Sequence, residues 1–235
     1  VVTGERCLPV AMLQPLAAHS TQTQRMRLQV NTGEPTRKRL WQAIVRSKVR
    51  NQARLLEALI EDDAGLYSLA RRVKSGDSEN IEAQAARRYW PLVFEDPDFR
   101  RQPQGPPPNH LLNYGYAVVR AIIARAACGT GLHPSIGLHH KGKYNPFCLA
   151  DDLMEPFRPL VDFSVASILR NQDVTEKLPP ELKHSLLEPI LDTVVINKEK
   201  RTVFDAAARF AYSVVQVMEG KQKGPLLPEL RFETE

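Results

Sequence analysis

The stretch PTRKRLWQAIVRSKVRNQARLLEALIE, residues 35 to 61, decides the fold class. Trp41, Val45, Val49, Ala53, Leu56 and Ile60 recur along it at the spacing of one helix face, which predicts a long helix from about Pro35 to Glu61 with a buried stripe. Pro35 suits the first helical turn, where the missing amide hydrogen costs little. On the other side, Arg39, Arg46, Arg50 and Arg54 fall within roughly one quadrant at 100° per residue. Between Ser20 and Leu56 the basic residues Arg25, Arg27, Arg37, Lys38, Arg39, Arg46, Lys48, Arg50 and Arg54 are opposed only by Glu34. A helix face with no task interleaves Glu with Lys, because i,i+4 pairs of opposite sign stabilise and like pairs repel. A one-sign stripe accepts the repulsion and points to a polyanion, with an ordinary solvated face as the alternative.

Outward from this helix the pattern stays helical. Gln22–Val30, Ala64–Lys74, Asn80–Phe94, His110–Cys128, Leu149–Asn171 (despite Pro156 and Pro159), Glu181–Leu191 and Thr202–Glu219 read as helices, with a brief strand at Val194–Ile196. The fold class expected is mainly α: a multi-helix domain behind a short remnant of an N-terminal β-rich domain. The expected divisions are 1–19 for that remnant and its linker, 20–220 for the helical domain, and 221–235 for a flexible tail, where Pro225 and Pro228 prevent helix. The absence of an initiating Met suggests that the natural N-terminus lies upstream.

The 235 residues can bury a sizeable core without disulfides. Cys7, Cys128 and Cys148 are odd in number, widely spaced and form no CxxC, which argues against a disulfide framework or zinc knuckle and fits a reducing cytoplasm. Cys148 reads as a buried thiol rather than a nucleophile. No run approaches a membrane span and no signal peptide is visible. The excess of Lys and Arg over Asp and Glu is five and the pI about 9.2. So modest an excess matters only where it clusters.

Chemistry concentrates between residues 137 and 159. His139 and His140 sit in a glycine-punctuated loop, and Asp151, Asp152 and Glu155 follow within one helical turn. Asp152 and Glu155, three apart, project from one helix face. One imidazole with two carboxylates suits Mg²⁺ or Mn²⁺. The same spacing also fits an N-terminal capping box, worth ~1 kcal/mol and nothing catalytic. There is no phosphate-binding GxxxxGK[ST] loop, GxSxG elbow or HExxH. Tyr114 and Tyr116 read as core, their hydroxyls needing partners.

Leu112-Asn113-Tyr114-Gly115-Tyr116, Gly131-Leu132-His133-Pro134, Gly137-Leu138-His139-His140, Asn145-Pro146-Phe147 and Leu149-Ala150-Asp151-Asp152-Leu153-Met154-Glu155-Pro156-Phe157-Arg158-Pro159 together resemble the CRISPR-associated adaptation integrase family. The double His and the Asn-Pro-Phe resemble its type II branch, which accompanies the RNA-guided effector nuclease. Asn80-Ile81-Glu82 with Ala85, Ala86, Arg87 and Tyr89 resembles the family's first acidic motif, although Ala83 stands where many relatives have Gly. The likeness runs to about Gly220.

The resemblance implies a divalent-metal-dependent DNA endonuclease and integrase that joins 3′-hydroxyl ends of a short DNA to a CRISPR repeat by transesterification. It implies Glu82, His140 and Glu155 as catalytic metal ligands, with Asp152 either as an additional carboxylate at the metal or as one behind the ligands. It also implies partners: double-stranded DNA (prespacer and repeat), a second copy in a homodimer, a small ferredoxin-like adaptation subunit and the RNA-guided effector nuclease, with no membrane. Candidate phosphate contacts are Arg46, Arg50, Arg54, Arg71, Arg72, Lys74, Arg87, Arg88, Lys141, Lys143 and Arg158, the last equally suited to orienting a carboxylate. Rival readings are a non-catalytic nucleic-acid-binding scaffold and a general metal-dependent nuclease.

Overall fold

The computed structural model describes residues 21 to 233, with the backbone of two short strands before them. Those strands, β1 (Val2–Thr3) and β2 (Pro9–Ala11), pair antiparallel. The rest of the expected 1–19 remnant, Cys7 included, lies outside the described residues.

From residue 21 onward the chain is built of helices: α1 (Gln22–Asn31), α2 (Glu34–Ile60), α3 (Leu66–Arg72), α4 (Ile81–Val93), α5 (Asn109–Gly129), α6 (Cys148–Met154), α7 (Arg158–Asn171), α8 (Pro180–Leu191) and α9 (Val203–Met218). Helix α2 is the axis. Its stripe of Trp41, Val45, Val49, Ala53 and Leu56 is buried and packs against α3, α4 and α7. Glu61 ends it in the left-handed region at φ 57°, its N–H donating to the Glu57 carbonyl, a common helix stop. The apolar α5 forms the second axis, packed against α6, α7 and α9. Its Gly115 permits close approach: a Cβ there would stand 2.4 Å from Val161 Cγ1.

Three local expectations change. The helix expected over 149–171 is divided, with a 3₁₀ turn over Glu155–Phe157 between α6 and α7. Pro156 and Pro159 each take an early position in the segment they open, where no amide hydrogen is needed. The expected strand β3 (Thr193–Ile196) acquires a partner, β4 (Glu199–Thr202), in a hairpin turned by Asn197 and Lys198, both at positive φ. The charged β4 sequence Glu-Lys-Arg-Thr carries no apolar alternation to announce it.

The third concerns residues 221–233, expected to fray. Instead, 226–232 form a strap across the fold. Leu230 is wholly buried, Leu226, Leu227 and Phe232 pack on the core, and Glu229 makes a β-bridge to Val195. Proline forbids helix here, but not an extended strap held by side chains. The principal clamp is Asn51 on α2, fully buried. Its Nδ2 donates to the carbonyls of Pro156 (2.8 Å) and Pro228 (3.2 Å), and its Oδ1 accepts from Arg54 Nη1 (2.8 Å) and the Leu230 N–H (3.3 Å).

Candidate metal centre and nucleic-acid surface

Each acidic side chain is placed by a local device. Asp77, in the 3₁₀ turn before α4, accepts from the N–H groups of Ile81 (2.9 Å) and Glu82 (3.0 Å). It thereby satisfies two orphan donors of the helix start and fixes the backbone that carries Glu82. Glu155 opens the 3₁₀ turn after α6 and is almost wholly buried. The carbonyl of the next residue, Pro156, is held by Asn51.

The third element is the loop 137–140, wrapped around Asp152. This carboxylate is fully buried: Oδ2 accepts from the N–H groups of Leu138 (2.6 Å) and His139 (2.9 Å), and Oδ1 from the His140 N–H (3.2 Å), with His140 Nδ1 at 2.6 Å. Gly137 is required at the start of the wrap, because a Cβ would fall 2.3 Å from the His140 carbonyl oxygen and 2.9 Å from Asp152 Oδ2. Trp41 supports the loop from α2, its ring stacked on His139 at 4.3 Å and edge-on to His140. Asp152 lies inside α6, so it is not the first residue of a capping box. Nor are its oxygens open for the expected direct metal contact, since all four interactions are spent on the loop. It fixes the His140 ring and commits Nδ1, so that Nε2 is the ring nitrogen suited to a ligand. That hydrogen bond raises the His140 pKa above its ordinary value, against burial, which lowers it.

Lys48 joins the two glutamates. Its Nζ lies 2.5 Å from Glu82 Oε1 and 2.5 Å from Glu155 Oε2, while Arg158 Nε donates to Glu155 Oε1 at 2.9 Å. The carboxylates of residues 82 and 155 therefore share one cation, and His140 stands near enough to Glu155 for each to influence the other's charge. Burial acts to raise the Glu155 pKa, but Arg158 and Lys48 outweigh it and hold the carboxyl below its usual range. Burial acts to lower Lys48, but Glu155 and Glu82 outweigh it and raise it. Among the described residues no three His, Cys, Asp or Glu side chains form a ready-made metal cluster; the Lys48 ammonium stands between the two carboxylates. The donor set nonetheless fits a hard divalent ion: carboxylate oxygens from two elements and an oriented imidazole. Glu155 Oε2 is buried and already faces one cation, the Lys48 ammonium at 2.5 Å.

Behind the site, Asp162 accepts from the hydroxyls of Tyr89 (2.7 Å) and Tyr116. These are the partners that a buried Tyr116 needs. Burial pushes the Asp162 carboxyl up to about 6, against the pull of both tyrosines. With the folded value above the unfolded one, its contribution to stability is full at low pH and is lost as pH rises through about 6. Asp162→Asn cannot titrate. Its stability relative to the parent is expected to rise by roughly 3 kcal/mol between about pH 3.5 and 7. Urea midpoints of both proteins across that range check this, and a flat difference would contradict the burial argument.

The basic candidates divide by place. Arg46, Arg71, Arg72 and Lys74 line an open pocket of about 540 Å³ with Gln42 and Glu79. Arg46, Arg50 and Arg54 line a groove of about 330 Å³ beside the strap. The two share Gln42 and Arg46, so six of the candidates form one continuous surface. Some of that charge is already answered: Arg54 pairs with Glu229 at 3.4 Å, Lys74 with Glu79, and Arg46 Nη2 donates to the Val73 carbonyl at 2.8 Å. Arg87 and Arg88 are exposed on α4 and line neither pocket. Lys141 and Lys143 are exposed in the loop after His140, Lys143 lying over the Tyr144 ring. Arg158 is engaged with Glu155 and stacked over Tyr116 at 4.6 Å, the carboxylate-orienting alternative.

Sequence reasoning missed the parts played by Lys48, Asp77 and Asn51. Lys48 was counted only as one more charge in the stripe. Its position, between Val45 and Val49 of the buried face, was the available signal. Asp77 closes a Ser-Gly-Asp turn just ahead of a helix, a capping context.

The family described as CRISPR associated protein Cas1 matches residues 2–189. The chain is similar to the CRISPR-associated endonuclease Cas1 of Neisseria meningitidis serogroup C (strain 8013), 36% identical over 229 residues, covering 96% of this chain and 75% of that protein. It is also similar to the CRISPR-associated endonuclease Cas1 of Hyperthermus butylicus, 28% identical and covering 89% of this chain and 71% of that protein. Among solved structures, a casposase bound to integration product shares the fold at TM-score 0.73 and 19% identity, over 89% of this chain and 72% of that one. A Cas1 protein from Thermotoga maritima does so at 0.65 and 19%, over 86% and 70%. With the match spanning most of its length, the chain belongs to the CRISPR associated protein Cas1 family.

Proposed function

We propose that the chain is a divalent-metal-dependent DNA endonuclease and integrase of CRISPR adaptation, with Glu82, His140 and Glu155 holding Mg²⁺ or Mn²⁺. The observation that carries the reading is the meeting of Glu82 and Glu155 on one cation beside His140, from elements distant in sequence. Bound there, the ion supplies positive charge that polarises a phosphoryl oxygen and stabilises the departing one. The chain's own residues do the rest. Asp152 holds the imidazole in one orientation, Arg158 holds Glu155, and Asp77 holds the backbone of Glu82. The basic surface around Arg46 tracks phosphates and sets register without reading bases. In the reaction a 3′-hydroxyl oxygen of one DNA forms a bond to a phosphorus of the other. The attacking hydroxyl gives up its proton to water, the existing P–O3′ bond breaks, and the leaving oxygen takes up a proton from water.

Double-stranded DNA, as prespacer and repeat, is the substrate. The assembly proposed is a homodimer bridged by a small ferredoxin-like subunit; the likeness to a chain of a Cas6-RT-Cas1–Cas2 complex (TM-score 0.70, 20% identity, covering 91% of this chain and 27% of that one) supports a second adaptation protein as partner. The double His and Asn-Pro-Phe support placement in the type II branch, beside an RNA-guided effector nuclease. No helix among the described residues is long and apolar enough to cross a membrane, and the place of action proposed is the prokaryotic cytoplasm.

A strand-transfer assay with a short duplex, a repeat-bearing target and Mn²⁺ tests this reading. The parent is expected to give joined half-site product that EDTA abolishes, and His140→Ala to bind DNA while giving none. Cleavage without joining would instead favour the general nuclease, and normal joining by His140→Ala would remove the metal assignment.

A further inference from the structure

We propose that Lys48 is a positioning residue whose ammonium holds the Glu82 and Glu155 carboxylates together in the ion-free protein and must be displaced for a divalent ion to enter. The inference rests on the metal reading of these two glutamates, and it adds a competitor that belongs to the chain itself. The geometry leaves little alternative. Nζ is 2.5 Å from an oxygen of each carboxylate, so it already occupies a shared contact of the two oxygens. A hard divalent ion such as Mg²⁺ shared by those oxygens would sit at ~2.0–2.1 Å from each and would compete with the ammonium for the same two oxygens. Like charges at that separation also repel strongly where water is scarce.

The charge balance agrees. Lys48 and Arg158 together neutralise Glu82 and Glu155. Without that balance, two facing carboxylates, one of them almost wholly buried, would drive each other apart or take up a proton. Arg158 approaches Glu155 Oε1 from its own helix, three residues on, and does not stand between the acids. Lys48 does, and it alone carries the flexible four-carbon stem that can withdraw. The exit lies on the open side, where the Glu82 and His140 side chains are 28% and 43% exposed, against 4% for Glu155.

Two measurements on the DNA-free full chain test this. In the first, Mn²⁺ binding is followed by loss of the free-ion EPR signal for the parent, Lys48→Met and Lys48→Arg. Lys48→Met is expected to bind Mn²⁺ about tenfold more tightly than the parent, and Lys48→Arg no more tightly. Equal or weaker binding by folded Lys48→Met would overturn the proposal. The second uses the parent alone, so it does not depend on how a variant folds. Acetylation of Lys48 by an amine-reactive reagent, read by peptide mass spectrometry, is expected to be slow without Mn²⁺ and several-fold faster with saturating Mn²⁺. A rate unchanged by Mn²⁺, with Mn²⁺ demonstrably bound, would also overturn it. If the parent binds no Mn²⁺ at all, the metal reading itself fails, an outcome distinct from the other two.

Discussion

Glu82→Gln is expected to lower metal-supported strand transfer by about a thousandfold or more, equivalent to ~4 kcal/mol of transition-state stabilisation, while duplex binding stays within about twofold. The substitution is close to isosteric, and the side chain is 28% exposed at the first turn of α4, so the core has no reason to move. Lys48 keeps Glu155, and Asp77 still accepts from the two N–H groups of the helix start. What is lost is one anionic oxygen at the place where charge develops on the scissile phosphate. The surface proposed to carry DNA affinity, around Arg46, Arg50 and Arg71, lies elsewhere and is untouched by the substitution. Product on a denaturing gel and fluorescence anisotropy, taken side by side, separate the two quantities. Full joining by Glu82→Gln would remove this residue from the chemistry.

Asn51→Ala is expected to cost about 3–5 kcal/mol of folding stability, seen as a lowered urea midpoint. Four hydrogen bonds converge on this fully buried amide. Its removal leaves the carbonyls of Pro156 and Pro228 and the N–H of Leu230 without these partners, each costing roughly 1–3 kcal/mol when buried. Water entering the gap recovers part of that. The strap is expected to loosen first, with faster amide exchange at Leu230 than at Ile44. Equal protection at both positions, or an unshifted midpoint, would show that the strap is held by its apolar contacts alone.

The helical architecture was legible because its signal is periodic. The stripe from Trp41 to Leu56 and the apolar α5 each repeat often enough to overrule local ambiguity. The loop with His139 and His140 and the acidic turn after it were legible as chemistry for a different reason: so many donor atoms within nineteen positions have few purely structural uses. How they divide the work was not legible. Asp152 and Glu155 look equivalent in one dimension, yet one carboxylate is consumed by the N–H groups of its own loop and the other faces Lys48. Whether an acid is spent or available depends on which backbone donors surround it, and that is a tertiary fact. Glu82 could be linked to His140 only through family resemblance, because no local pattern spans the distance between them. The strap escaped for a similar reason. Proline correctly forbade helix there, but order came from Asn51 and Val195, far upstream.

The clamp between Asn51 and Leu230 joins positions 179 apart. During synthesis α2 leaves the ribosome long before its last partner exists. Contacts this remote in the chain form late, because a long loop must close before they contribute anything. Until then the amide of Asn51 has half its bonds, and the Pro156 carbonyl next to Glu155 hangs from a hub that is itself unfinished. A nascent polypeptide thus carries Glu82 and Glu155 before the strap that braces their surroundings has been made.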